Sequence, residues 1–80
     1  MVIPSSKEEL LLEIYEKMKL EKIDCKNDKA YYYFKFRDIQ KCVILSKHRF
    51  WHEETSYPIA WNIAQEWYCK LGEEQGWINI

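Results

Sequence analysis

Apolar residues recur at helical spacing near the start of the chain, where Leu11, Ile14, Tyr15 and Met18 fall on one stripe. Ahead of them Ser5-Ser6-Lys7-Glu8-Glu9 holds two overlapping capping boxes, Ser5 with Glu8 and Ser6 with Glu9. In each, a hydroxyl and a carboxylate satisfy N–H groups that the first turn of a helix leaves unpaired. Glu8, Glu9 and Glu13 come early and Lys17, Lys19 and Lys22 late, the order that the helix dipole favours. The pattern predicts a helix from about Lys7 to Lys22. Residues 24–29, Asp-Cys-Lys-Asn-Asp-Lys, show no apolar period and read as a polar loop.

From Ala30 the texture changes to Tyr31-Tyr32-Tyr33-Phe34-Lys35-Phe36-Arg37, then Asp38-Ile39-Gln40-Lys41, then Cys42-Val43-Ile44-Leu45-Ser46-Lys47-His48-Arg49-Phe50-Trp51. Aromatic and β-branched density predicts strand, turn, strand. The turn lacks the Asn-Gly or Gly-X pair of a two-residue hairpin loop, so a four-residue loop led by Asp38 is expected. That register pairs Phe36 with Val43 and Phe34 with Leu45 and gathers four apolar side chains on one face. The opposite face then carries Tyr31, Tyr33, Lys35 and Arg37 beside Cys42, Ile44, Ser46 and His48.

Glu53-Glu54-Thr55-Ser56 reads as a polar cap before Tyr57-Pro58, with the proline in the first turn of a second helix, where its missing N–H is not needed. Ala60, Ile63, Ala64, Trp67, Tyr68 and Leu71 keep the helical period, and Gly72 is expected to end it as a left-handed residue. The tail Trp77-Ile78-Asn79-Ile80 reads as a short strand or an extended arm. The fold expected is α+β: helix, antiparallel β-hairpin and helix in two layers, with a short C-terminal strand as an option. Two strands alone make a marginal sheet, so a third is expected from the tail or from a partner chain. In element order alone, helix, strands, helix, the chain is similar to double-stranded-RNA-binding domains. Its second helix opens with Ser56-Tyr57-Pro58 and acids in place of the Lys-rich start such domains set on phosphates, so no residue is carried over.

Length limits this to one domain, residues 1–80, because a chain of 80 residues has material for a single core. Hydrophobic residues at 48% and aromatics at 16% suffice for that core. Only Gly72 and Gly76 are present, which excludes glycine-rich loops that cradle phosphates. No apolar run approaches the roughly 18–20 residues that span a bilayer, and no basic segment precedes an apolar one at the N-terminus. The expected location is cytoplasmic, with no membrane partner. Cys25, Cys42 and Cys69 are odd in number and match neither a disulfide framework nor zinc knuckles, so free thiols are expected.

Net charge is −1, but it is segregated: residues 29–52 hold six basic residues against Asp38 alone, and acids dominate on both sides. Within that basic middle, Tyr31 and Tyr33 are candidate stacking platforms for bases and Lys35, Arg37 and Lys41 candidate phosphate contacts. Ile44, Trp51, Trp61 and Trp77 lie off the best core stripes and are candidate contacts for a protein partner, since large aromatics concentrate where partners are gripped. His48 and His52 are the one pair suited to a metal, but a strand would separate them by roughly 13 Å, so neither a metal nor another cofactor is expected. No nucleophile has a base and an orienting group beside it, so no catalytic residue and no small-molecule substrate is expected. The chain therefore reads as a non-catalytic interaction module for a protein partner or a second copy of itself. The alternative is a binder of single-stranded nucleic acid or RNA through the basic aromatic hairpin. A small enzyme or metal protein using His48 and His52 ranks behind both.

Overall fold

Ser6 caps the first helix by accepting the Glu9 N–H at 3.2 Å, and α1 runs from Lys7 to Lys17 in the computed structural model, which describes residues 6–49 and 51–78. The Ser5 capping box falls outside the described residues. Met18 turns the chain into extended geometry (φ −68°, ψ 127°), and β1 (Lys19–Lys26) follows at once. The helix thus stops five residues before the expected Lys22, and most of the expected polar loop is strand. The cause is a β-bulge: register shifts between Leu20 and Lys22, leaving Glu21 as the extra residue. Leu20 and Ile23, three apart, therefore share the core-facing side of a strand, a spacing that on sequence reads as a continuing helix.

β2 (Lys29–Phe36) and β3 (Ile39–Ser46) complete an antiparallel sheet in the order β1-β2-β3; the last strand stops short of the expected Trp51, whose N–H turns back onto the His48 carbonyl at 2.9 Å. The third strand is β1, neither tail nor partner. Both hairpins close on two residues with φ positive at each, Asn27 and Asp28 (52°, 61°) and Arg37 and Asp38 (51°, 62°). This is the primed turn whose twist matches the strands. The expected four-residue loop is thereby corrected, since Phe36 pairs with Ile39 and Tyr32 with Val43. An even shift of register leaves each side chain on its original face. Phe34, Phe36 and Val43 are buried as expected, and Leu45 is half-buried against them.

The second helix, α2 (Glu53–Gln75), starts earlier than expected, with His52 as N-cap accepting the Glu54 N–H on Nδ1 at 3.3 Å. Pro58 accordingly sits in the second turn, not the first, and leaves the Glu54 carbonyl without its helical donor. The helix ends at Gly76 (φ 75°), not at Gly72. Gly72 is buried inside the helix, against Leu10 and Trp77. Leu10 and Ile14 of α1, Met18 at its C-terminal cap, Ala60, Ala64 and Tyr68 of α2, and Ala30, Tyr32, Phe34, Phe36 and Val43 of the sheet form one core. Ile78 is buried against this core and makes an isolated strand bridge; Asn79 and Ile80 lie outside the described residues. No helix among the described residues is long and apolar enough to cross a membrane.

Candidate nucleic-acid interface

With both helices on the Tyr32/Phe34 side, strand alternation gives the opposite face of the sheet to solvent. Tyr31 and Tyr33 stand at its centre, on the middle strand. Lys22 and Asp24 of β1 are their partners on one side, and Cys42 and Ile44 of β3 on the other. Beyond them at one end lie Lys26, Lys29 and Ser46, and at the other Lys19, Lys35 and Gln40. Five lysines thus frame two tyrosines. Two carboxylates share the face, Asp24, whose Oδ2 lies 4.0 Å from Lys26 Nζ, and Glu21, which accepts from Gln40 Nε2 at 3.0 Å across the sheet.

The ammonium of Lys22 lies 4.8 Å from the centre of the Tyr33 ring and that of Lys26 5.5 Å from Tyr31, within cation–π range. Both rings are half-exposed, so part of each π-face meets water. Desolvation raises the Tyr33 phenol above its ordinary value. Ile44 adds an apolar side chain, 55% exposed, next to Tyr31. A flat surface of π-faces, one aliphatic group and separated ammonium groups can stack planar rings and contact an anionic backbone together.

The sequence-derived cluster divides in the structure. Tyr31, Tyr33 and Lys35 share the open face. Arg37 occupies the β2–β3 turn and points back to α1, where Nε and a terminal nitrogen donate to the two Glu13 oxygens at 2.7 and 2.9 Å. Its guanidinium also stacks 4.5 Å from the Trp77 ring. Lys41 belongs to the helix side, with Nζ 4.9 Å over Trp67. Neither joins the tyrosines. The lysines that do are Lys19, Lys22 and Lys26 of β1 and Lys29 at the start of β2, positions that on sequence read as helix and loop. A signal was available: Asn27-Asp28, between Ile23-x-Cys25 and Ala30-x-Tyr32, carries the residue types that accept positive φ in a two-residue hairpin.

The candidate partner contacts are dispersed. Ile44 is on the open face, while Trp51 lies between β3 and α2 under Lys47 Nζ at 4.9 Å. Trp77 packs edge-on to Phe36, and Trp61 meets Tyr15 edge-to-face at 6.2 Å. Trp61, Tyr15, Met18, Tyr57 and Pro58 line a shallow groove of about 370 Å³ between the helices. His52 is engaged as the α2 cap, and among the described residues no three metal-ligating side chains come together. The cysteines are free thiols; burial pushes the Cys69 thiol up, which opposes thiolate formation there. Comparison with protein-family models, with curated proteins and with solved structures finds no match to this chain.

Proposed function

We propose that this protein binds single-stranded nucleic acid on the open face of its sheet, with Tyr31 and Tyr33 stacking on bases and Lys19, Lys22, Lys26, Lys29 and Lys35 contacting phosphates. One observation carries the reading: a solvent-facing sheet whose central strand presents two tyrosines inside a frame of five lysines. The two rings sit two residues apart on one strand, roughly 7 Å, so successive bases of an extended strand reach both. Lys22 and Lys26 already lie over the ring faces, and an incoming base displaces their ammonium groups outward, toward the phosphates of the same strand. Only an unpaired strand offers base faces free to stack on Tyr31 and Tyr33. This favours single strands.

The reading that the sequence ranked first, a protein partner, rests in the structure on the Tyr15/Trp61 groove, because Ile44, Trp51 and Trp77 do not converge with Trp61. The two are separated by titrating fluorescently labelled single-stranded and duplex oligonucleotides in 50 and 200 mM salt. The proposal expects single-strand binding with a log K against log salt slope of about −2 to −3.5, for three to five phosphates at roughly 0.7 each. Tyr31→Ala/Tyr33→Ala lowers affinity at least tenfold, at about 1–3 kcal/mol per lost stacking platform. Absence of binding in 50 mM salt, or equal binding by the double variant, overturns it. Capture of a protein by wild type but not by Trp61→Ala would then support the helix groove.

A further inference from the structure

We propose that β3 is a self-association edge, by which two copies of this chain pair across a two-fold axis into one six-stranded antiparallel sheet. The hairpin closes on the Phe36–Ile39 pair beside a two-residue turn, so the odd-numbered residues of β3 bond to β2. The Lys47 N–H, bonded to Asp28 O at 2.8 Å, continues the same alternation. Gln40, Cys42, Ile44 and Ser46 consequently direct N–H and C=O away from the sheet. No described strand meets that side.

The two sheet edges are built differently. β1 carries a bulge at Glu21 and four charged side chains besides, Lys19, Lys22, Asp24 and Lys26, features that deter strand pairing. β3 runs eight residues in unbroken register, Ile-Gln-Lys-Cys-Val-Ile-Leu-Ser, with Lys41 as its single charge and no proline. Outward amides restrict antiparallel self-pairing to registers that shift by whole pairs. Centring on Ile44 sets Lys41 opposite the partner's Lys47, an unfavourable like-charge contact. Centring on Val43 opposes Lys41 to Leu45, Cys42 to Ile44 and Gln40 to Ser46, with no like-charge pair inside β3. The strand is self-complementary in that register.

A second feature marks the same edge. Lys41 contacts Trp67, which places the Trp67 flank of α2 above β3. Ile63 and Ile59, one and two turns earlier, share that flank and are exposed, although they are large and apolar. The two-fold axis brings this flank of each α2 against its mate. α2 rests on β2 as well as β3, so its axis lies inboard of the edge and leaves the roughly 8–10 Å between axes that packed helices need.

Sedimentation equilibrium and amide hydrogen exchange of the full chain, without nucleic acid, test this independently of the function proposed above. Expected are a dimer at micromolar concentration and at least tenfold slower exchange at Cys42 and Ile44 on going from the dilute monomer to the dimer. Ile44→Pro removes an outward donor, and Ile63→Arg charges the helix flank without touching the sheet; each weakens dimerisation at least tenfold. Leu12→Arg, at an exposed apolar position on α1, leaves it unchanged. A monomer up to millimolar concentration overturns the proposal. So does a dimer with Cys42 and Ile44 amides unprotected, or one insensitive to Ile63→Arg.

Discussion

Replacing Gly72 with alanine tests how closely the two helices approach. In an open helix interior the change stabilises by about 0.8–1 kcal/mol, because glycine there carries a backbone-entropy cost that alanine avoids. At Gly72 a β-carbon would stand 2.7 Å from Leu10 Cδ2 and 3.2 Å from Trp77 Cε3. Leu10 is 1% exposed and held in the core, so its methyl has no free volume to enter and α1 must move outward. Overpacking of this kind costs about 1–3 kcal/mol. Clash exceeds propensity, and the net expectation is a loss of about 1 kcal/mol, or roughly 4–8 °C in Tm for a domain of this size. Thermal unfolding followed by circular dichroism reads the sign directly. In a Leu10→Val background, which removes the offending δ-carbon, Gly72→Ala becomes neutral or stabilising, and the double-mutant cycle gives a coupling of at least ~1 kcal/mol. A rise in Tm for Gly72→Ala in the wild-type background would refute the packing argument.

Three further outcomes follow from particular contacts. Arg37 holds the Glu13 carboxyl below its ordinary 4.5, so the pair's contribution is fully present above that pH and is lost as pH falls through the lowered folded-state value; Glu13→Gln costs about 0.5–1 kcal/mol at pH 7 and nothing once both states are protonated, as urea titrations at several pH values will show. Tyr68, whose burial pushes its phenol up to about 12, donates to the Phe34 and Ile39 carbonyls; Tyr68→Phe costs about 1 kcal/mol in urea unfolding and no more, because antiparallel pairing already gives those carbonyls strand partners. Asp28→Gly turns the first hairpin's Asn-Asp into Asn-Gly and relieves a side chain held at φ 61°, raising the midpoint by the equivalent of about 0.5–1 kcal/mol, whereas a fall would contradict the turn assignment.

Much of the fold is legible in the sequence. Ser6 and Glu9 announce α1, the Ala60/Ala64/Tyr68 stripe announces α2, and alternation about Phe34 and Phe36 identifies the buried sheet face. What misleads is local geometry that imitates another signal. The bulge at Glu21 gives Leu20 and Ile23 helical spacing inside a strand, and Arg37-Asp38 makes a primed turn without glycine. Gly72 resembles a helix stop yet is needed for the approach of Leu10. These errors carried into the candidate site. Tyr31, Tyr33 and Lys35 follow from alternation alone, but four of the five lysines around the tyrosines depend on recognising β1 and the true start of β2. Arg37 and Lys41 join the cluster on sequence because a four-residue loop makes Arg37 the last residue of a strand and Lys41 part of the turn, whereas the two-residue turn takes Arg37 itself and puts Lys41 on the helix side of β3.

The open face as a single-strand interface is tested most directly by amide chemical-shift mapping of the ¹⁵N-labelled protein, titrated with a short single-stranded oligonucleotide in low salt. The largest shifts are expected at Lys22, Tyr31, Tyr33, Lys35 and Ile44, with the α2 amides of Ala60 and Ala64 unmoved. Shifts concentrated at Tyr15, Met18 and Trp61, or no shifts at all, would contradict it.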